Sequence, residues 1–299
     1  CISRQIWVGH RLPVWYCQDC GETTVNNDEP ESCPACGGVL ERDPDVLDTW
    51  FSSGLWPFST LGWPDSTPDF RNFYPTTVMQ TGYDIIFFWV ARMVMLGIEL
   101  TGEVPFRHVH LSGLMRREDG SKVSKSDPQP GDDPAEVIDR FGADALRYTI
   151  ATAGSPGGDL KLVWQKLEAA RNFANKLWNA ARFTVDAQAV GQVEPGPPTA
   201  VDRWILGRLD QTVFETTRRL EAFNFGEAGR GIQDLIWNDF CDWCIEASKP
   251  RLRGNDPVAA SRAAATLAEV LTTSLRLLHP FMPFITEALW QEMSSRTGQ

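Results

Sequence analysis

Two Cys-x-x-Cys pairs, each followed directly by glycine, constrain the fold of this chain more than any other feature. Cys17 and Cys20 form the first pair, Cys33 and Cys36 form the second, and twelve residues lie between them. This spacing lets two tight turns face each other and close a tetrahedral thiolate site. We predict a structural Zn²⁺ on these four sulfurs, with a vestigial site or disulfides as the alternatives. Four protein ligands leave no open position for a substrate, so the metal should stabilise the fold.

Composition and charge narrow the class of protein. Of the 299 residues, 42% are hydrophobic and 22% are charged, which excludes a disordered or collagen-like chain. The 28 basic and 39 acidic residues give a net charge of −11, which argues against nonspecific coating of nucleic acid. No apolar run reaches the roughly 18 residues of a membrane span, so we expect no membrane partner. Because it starts at Cys1 without a signal peptide, we expect a cytoplasmic chain that begins within a longer protein or has been trimmed.

The first half of the chain alternates between strand-prone and helix-prone stretches, which predicts an α/β layer up to residue 160. Residues 43–64 are rich in Trp, Pro and Gly and indicate a packed irregular segment. Asp84 stands where it would cap a buried helix that runs to Leu96. The other predicted elements are strand-like runs at Ile6–Tyr16, Thr76–Met79 and Val104–Leu111, and helices at Pro134–Phe141 and Ala143–Thr152.

After Leu162 every periodic stretch has the three-and-four spacing of a helix, which predicts a helical bundle. Cys241 and Cys244 lie in one of these stretches, where two thiols three residues apart share a buried face, so we interpret them as core residues. Residues 186–199 are rich in Pro and Gly and indicate an exposed loop. The predicted helices are Trp164–Phe183, Asp202–Ala222, Gly226–Ala247, Pro257–His279 and Pro283–Met293.

A basic loop follows the second β-prone run. Lys122 and Lys125 lie three residues apart in a Gly/Ser context, which suits mobile contact with phosphate. A merely solvated surface loop is the alternative, since lysines and serines are common in such loops.

This loop and several longer stretches resemble the class I aminoacyl-tRNA synthetases, and within them the valyl branch. Residues 122–126, Lys-Val-Ser-Lys-Ser, are similar to the family's Lys-Met-Ser-Lys-Ser loop, with Val in place of Met. Other similar stretches are residues 1–13, 45–53, 55–64 and 81–84, and, in the helical part, residues 172–179, 240–243 and 279–284. The resemblance implies the second half of a Rossmann-like α/β catalytic domain over 1–163, with a zinc-ribbon insertion at 15–42 and the basic loop at 120–127. An all-α anticodon-binding helical bundle over 164–299 would follow.

The resemblance also implies roles for residues at matching positions. Lys125 would bind the phosphates of ATP, carried with Mg²⁺, while Lys122 assists as the valine carboxylate attacks the α-phosphorus. Gly82 and Asp84 match the position that holds the ribose, and Trp89 matches a wall of the amino-acid pocket. Core packing is the alternative for Trp89, and His108 and His110 are expected to be structural. The bundle would contact tRNA(Val) through basic residues, for which the candidates are Arg171, Lys176, Lys249, Arg251 and Arg253.

The chain departs from the family pattern in two ways. After the basic loop the family has Gly-Asn-x-x-Asp-Pro, whereas residues 127–134 read Asp-Pro-Gln-Pro-Gly-Asp-Asp-Pro. The family's His-Ile-Gly-His signature, its editing domain and its C-terminal coiled coil do not occur in the sequence. We therefore expect an incomplete valine–tRNA ligase of protein biosynthesis, inactive alone and needing the N-terminal catalytic half as partner. Alternatives are an isoleucyl-tRNA synthetase fragment, a non-catalytic tRNA-binding or scaffolding module, and an unrelated zinc-ribbon nucleic-acid binder.

Overall fold

The computed structural model describes residues 2–123, 127, 129–154, 157–189 and 193–297. The chain divides into two compact units, Cys1–Leu111 and Ser112–Gln299. The domain boundary expected after residue 163 from the resemblance stays a prediction. None of the described helices is long and apolar enough to cross a membrane.

Two small antiparallel sheets open the first unit. Strand β1 (Ser3–Arg4) pairs with β5 (Val46–Leu47), and β2 (Val14–Cys17) lies between β3 (Thr23–Val25) and β4 (Leu40–Arg42). The prediction of a strand at Ile6–Tyr16 is therefore confirmed only at its end, because regular pairing on β2 begins after Pro13. Trp15 anchors this sheet: its side chain is buried, and the guanidinium of Arg42 lies 5.2 Å from its ring centroid.

The prediction of an irregular segment at residues 43–64 is wrong. Helix α1 (Thr49–Ser59) occupies its centre despite Pro57 in the last turn, and α2 (Pro68–Phe73) follows with Thr67 as its cap. Packing explains the helix, because Phe58 is fully buried and Gly54 lies against Leu96 so closely that a Cβ would stand 2.7 Å from its Cδ1. Tertiary contacts override the low helix propensity of this composition.

The second part of the first unit is a strand, helix, strand sequence. Strand β6 (Thr76–Gly82) pairs with β7 (Phe106–Ser112), which confirms both predicted β runs. Between them the chain forms a 3₁₀ turn (Tyr83–Ile85), a π-helical turn (Ile86–Val90) and helix α3 (Ala91–Thr101).

The predicted Asp84-capped buried helix is wrong in two respects. Asp84 lies inside the 3₁₀ turn, and no side-chain cap is formed at the start of any of the three helical segments. The segment is also partly uncovered, since Phe87 is 75% and Met95 69% exposed. An all-apolar sequence predicts burial only when every face of the helix has a neighbour. Here the covered face carries Val90 and Met93, which cluster with Met79 of β6 and Phe106 of β7.

The second unit begins with a short parallel pair, β8 (Met115–Arg116) and β9 (Leu160–Lys161). Gly113 makes this close approach possible, because a Cβ there would lie 1.7 Å from the carbonyl oxygen of Gly158. Along the chain, the two strands are separated by helices α4 (Pro134–Phe141) and α5 (Ala143–Ala153), as predicted. Asp133 caps α4, because its carboxylate accepts a hydrogen bond from the N–H of Ala135 at 2.9 Å.

A helical bundle forms the rest of the second unit and confirms the prediction for the region after Leu162. One continuous helical run, 225–252, contains a π-helical segment at Leu235–Cys244, where the sequence predicts an ordinary helix over Gly226–Ala247. Its core contains the fully buried side chains of Phe173, Ile205, Ile232 and Leu267. The elements are α6 (Trp164–Ala187), α7 (Ala200–Glu221), α8 (Phe225–Asp234), the π-helical segment (Leu235–Cys244), α9 (Ile245–Leu252), α10 (Pro257–Leu278) and α11 (Pro283–Thr297).

The loop predicted at residues 186–199 is shorter than expected. Helix α6 continues to Ala187, and residues 193–199 form no regular element. Residues 190–192 lie outside the described part of the chain.

Candidate functional site

Two matching backbone turns present the four cysteines of the first unit. The N–H of Gly21 donates to the carbonyl of Cys17 at 3.1 Å, and the N–H of Gly37 donates to the carbonyl of Cys33 at 2.8 Å. Both glycines have positive φ, 73° and 74°, a conformation that L side chains rarely adopt. The glycine that follows each Cys pair is therefore required by the turn.

The four sulfurs form a compact donor set. The Sγ atoms of Cys17, Cys20, Cys33 and Cys36 all lie within 4.8 Å of one another, with 3.5 Å between Cys17 and Cys36 and 3.7 Å between Cys20 and Cys33. A tetrahedral ion with Zn–S bonds of about 2.3 Å separates its sulfurs by about 3.8 Å. The four cysteines are free thiols, and their spacing fits Zn²⁺.

The electrostatics of this cluster also favour a cation. The backbone N–H of Cys20 lowers the pKa of the Cys17 thiol to about 7, whereas the hydrogen bond shared with Cys20 raises the pKa of Cys36 to about 12. Thiolates this close together repel one another, so all four ionise together only around a positive charge.

Cys241 and Cys244 have a different environment. They lie on the π-helical segment of the bundle, where Cys244 is fully buried and Cys241 packs against the core. Burial raises the pKa of Cys241 to about 11 and that of Cys244 to about 12, so both are neutral thiols at neutral pH. Their interpretation as core residues is confirmed.

The basic loop begins in a tight turn after β8. The N–H of Gly120 donates to the carbonyl of Arg117 at 2.9 Å, and Gly120 has a positive φ of 87°. Lys122 follows as an exposed residue whose backbone forms a bridge with Arg116. Lys125 lies outside the described residues.

A cavity of about 240 Å³ lies beside this turn, with Arg116, Arg117, Val123, Asp132 and Trp164 in its wall. Arg116 forms an ion pair with Asp159, and Arg117 forms one with Asp132. The cavity therefore combines an apolar wall with two guanidinium groups whose charges are balanced by carboxylates.

The residues expected at the ribose and the amino-acid pocket lie together in the first unit. Gly82 ends β6, and Asp84 stands exposed in the 3₁₀ turn directly after it. Trp89 packs against the small core of this unit, which agrees with the packing alternative. His108 and His110 lie on β7.

Comparison with known proteins decides the family. The family described as tRNA synthetases class I (I, L, M and V) matches residues 31–163, and the anticodon-binding domain of tRNA ligase matches residues 202–299. The chain belongs to the class I tRNA synthetases. Its α/β part with the cysteine-bearing insertion and its helical bundle thus correspond to the catalytic and anticodon-binding folds expected from the resemblance.

Individual relatives of this synthetase chain are valine–tRNA ligases. Those of Dehalococcoides mccartyi (strain CBDB1) and Symbiobacterium thermophilum are 56% and 53% identical over alignments of 295 and 306 residues, which cover 97% and 100% of this chain. That of Thermotoga maritima is 52% identical over 98% of the chain. The chain spans about a third of the length of these curated relatives, 33% or 34%. These names do not favour the isoleucyl alternative.

Solved synthetase structures share the fold. LeuRS of Agrobacterium radiobacter K84, in a ternary complex with tRNA and LeuAMS, matches with a TM-score of 0.71 at 21% identity over 98% of this chain and 40% of its own. Methionyl-tRNA synthetase of Mycobacterium tuberculosis, in complex with methionyl-adenylate, also matches with a TM-score of 0.71 at 21% identity, over 84% of this chain and 50% of its own.

Most of the basic residues expected to contact tRNA already have acidic or aromatic neighbours. Lys176 lies 2.7 Å from the carboxylate of Asp242 and 4.0 Å from the ring centroid of Trp237. Arg171 pairs with Glu168 at 3.1 Å. These contacts hold the cations on the helix surface without excluding a further ligand.

The last three candidates differ from one another. Lys249 pairs with Glu246, whereas the guanidinium of Arg251 is held inside the bundle by the buried carboxylate of Asp202. Arg253 is exposed, and no ion pair of its side chain is found among the described residues. The geometry thus gives Arg251 a structural role and leaves Arg253 best placed for an external phosphate.

Sequence reasoning missed the Arg117–Asp132 pair at the base of the basic loop. The departure of residues 127–134 from the family pattern was the available signal, since it introduces acidic residues beside a basic loop. Which acid meets which base depends on the turn geometry, which composition does not give.

Proposed function

We propose that this chain forms one part of a valine–tRNA ligase, which activates valine with ATP and transfers it to tRNA(Val). The observation that carries the proposal is the alignment of 97% or more of the chain with valine–tRNA ligases at more than half identity. The order of elements supports it, because a cysteine-bearing insertion, a strand pair with a basic loop and a helical bundle follow one another as in the family.

The basic loop would act on the phosphates of ATP. Lys122 is exposed at the start of the loop, and Lys125 follows in the matching signature. Two ammonium groups stabilise the charge that develops as the valine carboxylate attacks the α-phosphorus and pyrophosphate leaves. Mg²⁺ would accompany the nucleotide and neutralise part of the same charge.

The residues after β6 would hold the ribose of ATP. Asp84 is exposed beyond Gly82, where a carboxylate can accept hydrogen bonds from ribose hydroxyls. Trp89 would form a wall of the amino-acid pocket while it also packs against the small core of the first unit.

The cysteine cluster would bind a structural Zn²⁺. With all four coordination positions taken by Cys17, Cys20, Cys33 and Cys36, the ion supplies folding free energy and leaves no position for substrate. The bundle would contact tRNA(Val), with Arg253 as the most accessible of the basic candidates.

A charging experiment tests the proposal. The chain is exchanged for the matching third of the Thermotoga maritima relative, and the fusion is assayed for attachment of radiolabelled valine to tRNA(Val). We expect charging with valine and only background charging with isoleucine. A fusion that is folded and charges no valine, or that prefers isoleucine, would contradict the proposal. The unmodified relative is the control for the assay.

A further inference from the structure

Residues 129–132, in the segment where this chain departs from the family pattern, form a hydrogen-bonded turn. In Gln129-Pro-Gly-Asp132 the N–H of Asp132 donates to the carbonyl of Gln129 at 3.0 Å, and Gly131 has a φ of 89°. Proline at the second position and glycine at the third favour this geometry. Gly131 lies against Trp164, because a Cβ at Gly131 would stand 2.5 Å from the ring. The turn is therefore fixed by packing as well as by its own sequence.

The turn holds the carboxylate of Asp132 against Arg117. Asp132 Oδ1 accepts from Arg117 Nε at 3.0 Å, and Oδ2 accepts from Arg117 Nη2 at 2.5 Å and from the N–H of Gln129 at 2.9 Å. Only 14% of the Arg117 side chain and 11% of that of Asp132 are exposed. Their hydrogen bonds lower the pKa of Asp132 and raise that of Arg117, so the pair is fully ionised at neutral pH.

Arg117 also contacts both ends of the basic loop. Its backbone N–H donates to the carbonyl of Ser121 at 3.0 Å, on the side before the signature lysines. Its Nη2 donates to the carbonyl of Asp127 at 2.6 Å, on the side after them. The backbone and the guanidinium of one residue thus join the segments that precede and follow the signature, and Lys122 is the next residue after Ser121.

We propose that Arg117 and Asp132 are a positioning pair that fixes the base of the basic loop, so that Lys122 is held ready for the triphosphate of ATP. The inference rests on the proposed function and extends it to two residues that need not touch the nucleotide. A loop whose ends are already joined loses less conformational freedom when ATP binds. Loss of the pair should therefore raise the KM for ATP and leave the KM for valine unchanged.

Steady-state kinetics of valine-dependent ATP–pyrophosphate exchange by the fusion tests this inference. Asp132→Asn keeps the size of the side chain and removes its charge, and Arg117→Gln removes the other charge. We expect each variant to raise the KM for ATP about tenfold, as for a lost charge-assisted hydrogen bond, with the KM for valine unchanged. The double variant should be no worse than either single variant, because the two residues act as one unit.

Glu215→Gln is the matched control, because it breaks an Arg–carboxylate pair with Arg218 on the bundle surface. It should change neither KM. An unchanged KM for ATP in Asp132→Asn would overturn the inference, and so would an equal rise of both KM values with a lower melting temperature, since that indicates a general folding role. An inactive parent fusion would contradict the proposed function itself, and it would be seen before any variant is compared.

Discussion

The buried ion pair between Asp202 and Arg251 should be one of the strongest single contributors to the stability of the bundle. Asp202 lies in the first turn of α7, where its Oδ2 accepts the N–H of Thr199 at 2.8 Å in a capping box. Arg251, in α9, donates to both carboxylate oxygens at 2.8 and 3.0 Å. The Asp202 side chain is 0% exposed, so water cannot replace a lost partner. We predict that Asp202→Asn destabilises the bundle strongly.

The size of the effect follows from two independent arguments. Burial by itself raises the pKa of Asp202, but the hydrogen bonds from Arg251 and Thr199 outweigh it and lower the pKa from 3.8 to about 2. At 1.36 kcal/mol per pKa unit, this shift corresponds to about 2.5 kcal/mol of stability for the ionised form. Removal of one partner from a buried pair typically costs about 3 to 5 kcal/mol. We therefore expect a loss of about 3 kcal/mol at pH 7.

The sign of the pH dependence is fixed by the direction of the shift. Because the pKa of Asp202 is lower in the folded state, its stabilisation is complete above about pH 4 and is lost as the pH falls towards about 2. Urea unfolding followed by far-ultraviolet circular dichroism measures this, because the bundle supplies most of the helical signal. The difference between the unmodified chain and Asp202→Asn should be large at pH 7 and should shrink between about pH 4 and about pH 2.

Glu215→Gln serves as the control, because its pair with Arg218 lies at the surface, and it should cost less than about 1 kcal/mol. The reasoning would be refuted if Asp202→Asn unfolded with the same free energy as the unmodified chain at pH 7. It would also be refuted if the difference between the two proteins were independent of pH.

Three further predictions concern the metal, the basic loop and the RNA. Purified chain should contain one Zn²⁺, which Cys33→Ser or a chelator releases with loosening of the insertion; no zinc by atomic emission, with all four thiols freely titratable, would contradict this. Lys125→Ala in the fusion should lower pyrophosphate exchange by about 10²- to 10³-fold, and an unaffected rate would remove the role given to the loop. The chain should bind tRNA(Val) in preference to other tRNAs at a fixed salt concentration. Arg253→Ala should make the logarithm of the binding constant fall less steeply with the logarithm of the salt concentration. Equal binding of all tRNAs would count against a contact between the bundle and tRNA(Val).

Local chemistry explains which parts of the fold could be predicted from the sequence. The cysteine turns follow from a fixed spacing and two glycines, and α4 follows from Asp133 as its cap and Pro134 as its first residue. The bundle helices follow from a long apolar periodicity that few other structures would produce. In each case the determining residues are neighbours in the sequence.

The errors arose where distant contacts decide the structure. Helix α1 forms because Gly54 and Phe58 pack against partners that composition does not reveal, so its Trp, Pro and Gly content was misleading. Asp84 does not cap the described helical segments that follow β6, because the chain enters helix α3 through a 3₁₀ turn and a π-helical turn that no simple pattern indicates. The Arg117–Asp132 pair was missed for the same reason, since a turn brings together charges fifteen residues apart.

The most direct test of the central proposal compares valine-dependent ATP–pyrophosphate exchange by the isolated chain and by the fusion in which the chain replaces the matching third of the Thermotoga maritima relative. Adenylate formation requires ATP to be held in line with the valine carboxylate, and such positioning contributes about 7 to 11 kcal/mol of barrier lowering. The family's His-Ile-Gly-His signature does not occur in this sequence. In the fusion it would help to hold ATP in that position. We predict no exchange above background for the chain and robust exchange for the fusion. Robust exchange by the isolated chain, or none by a folded fusion, would contradict the account.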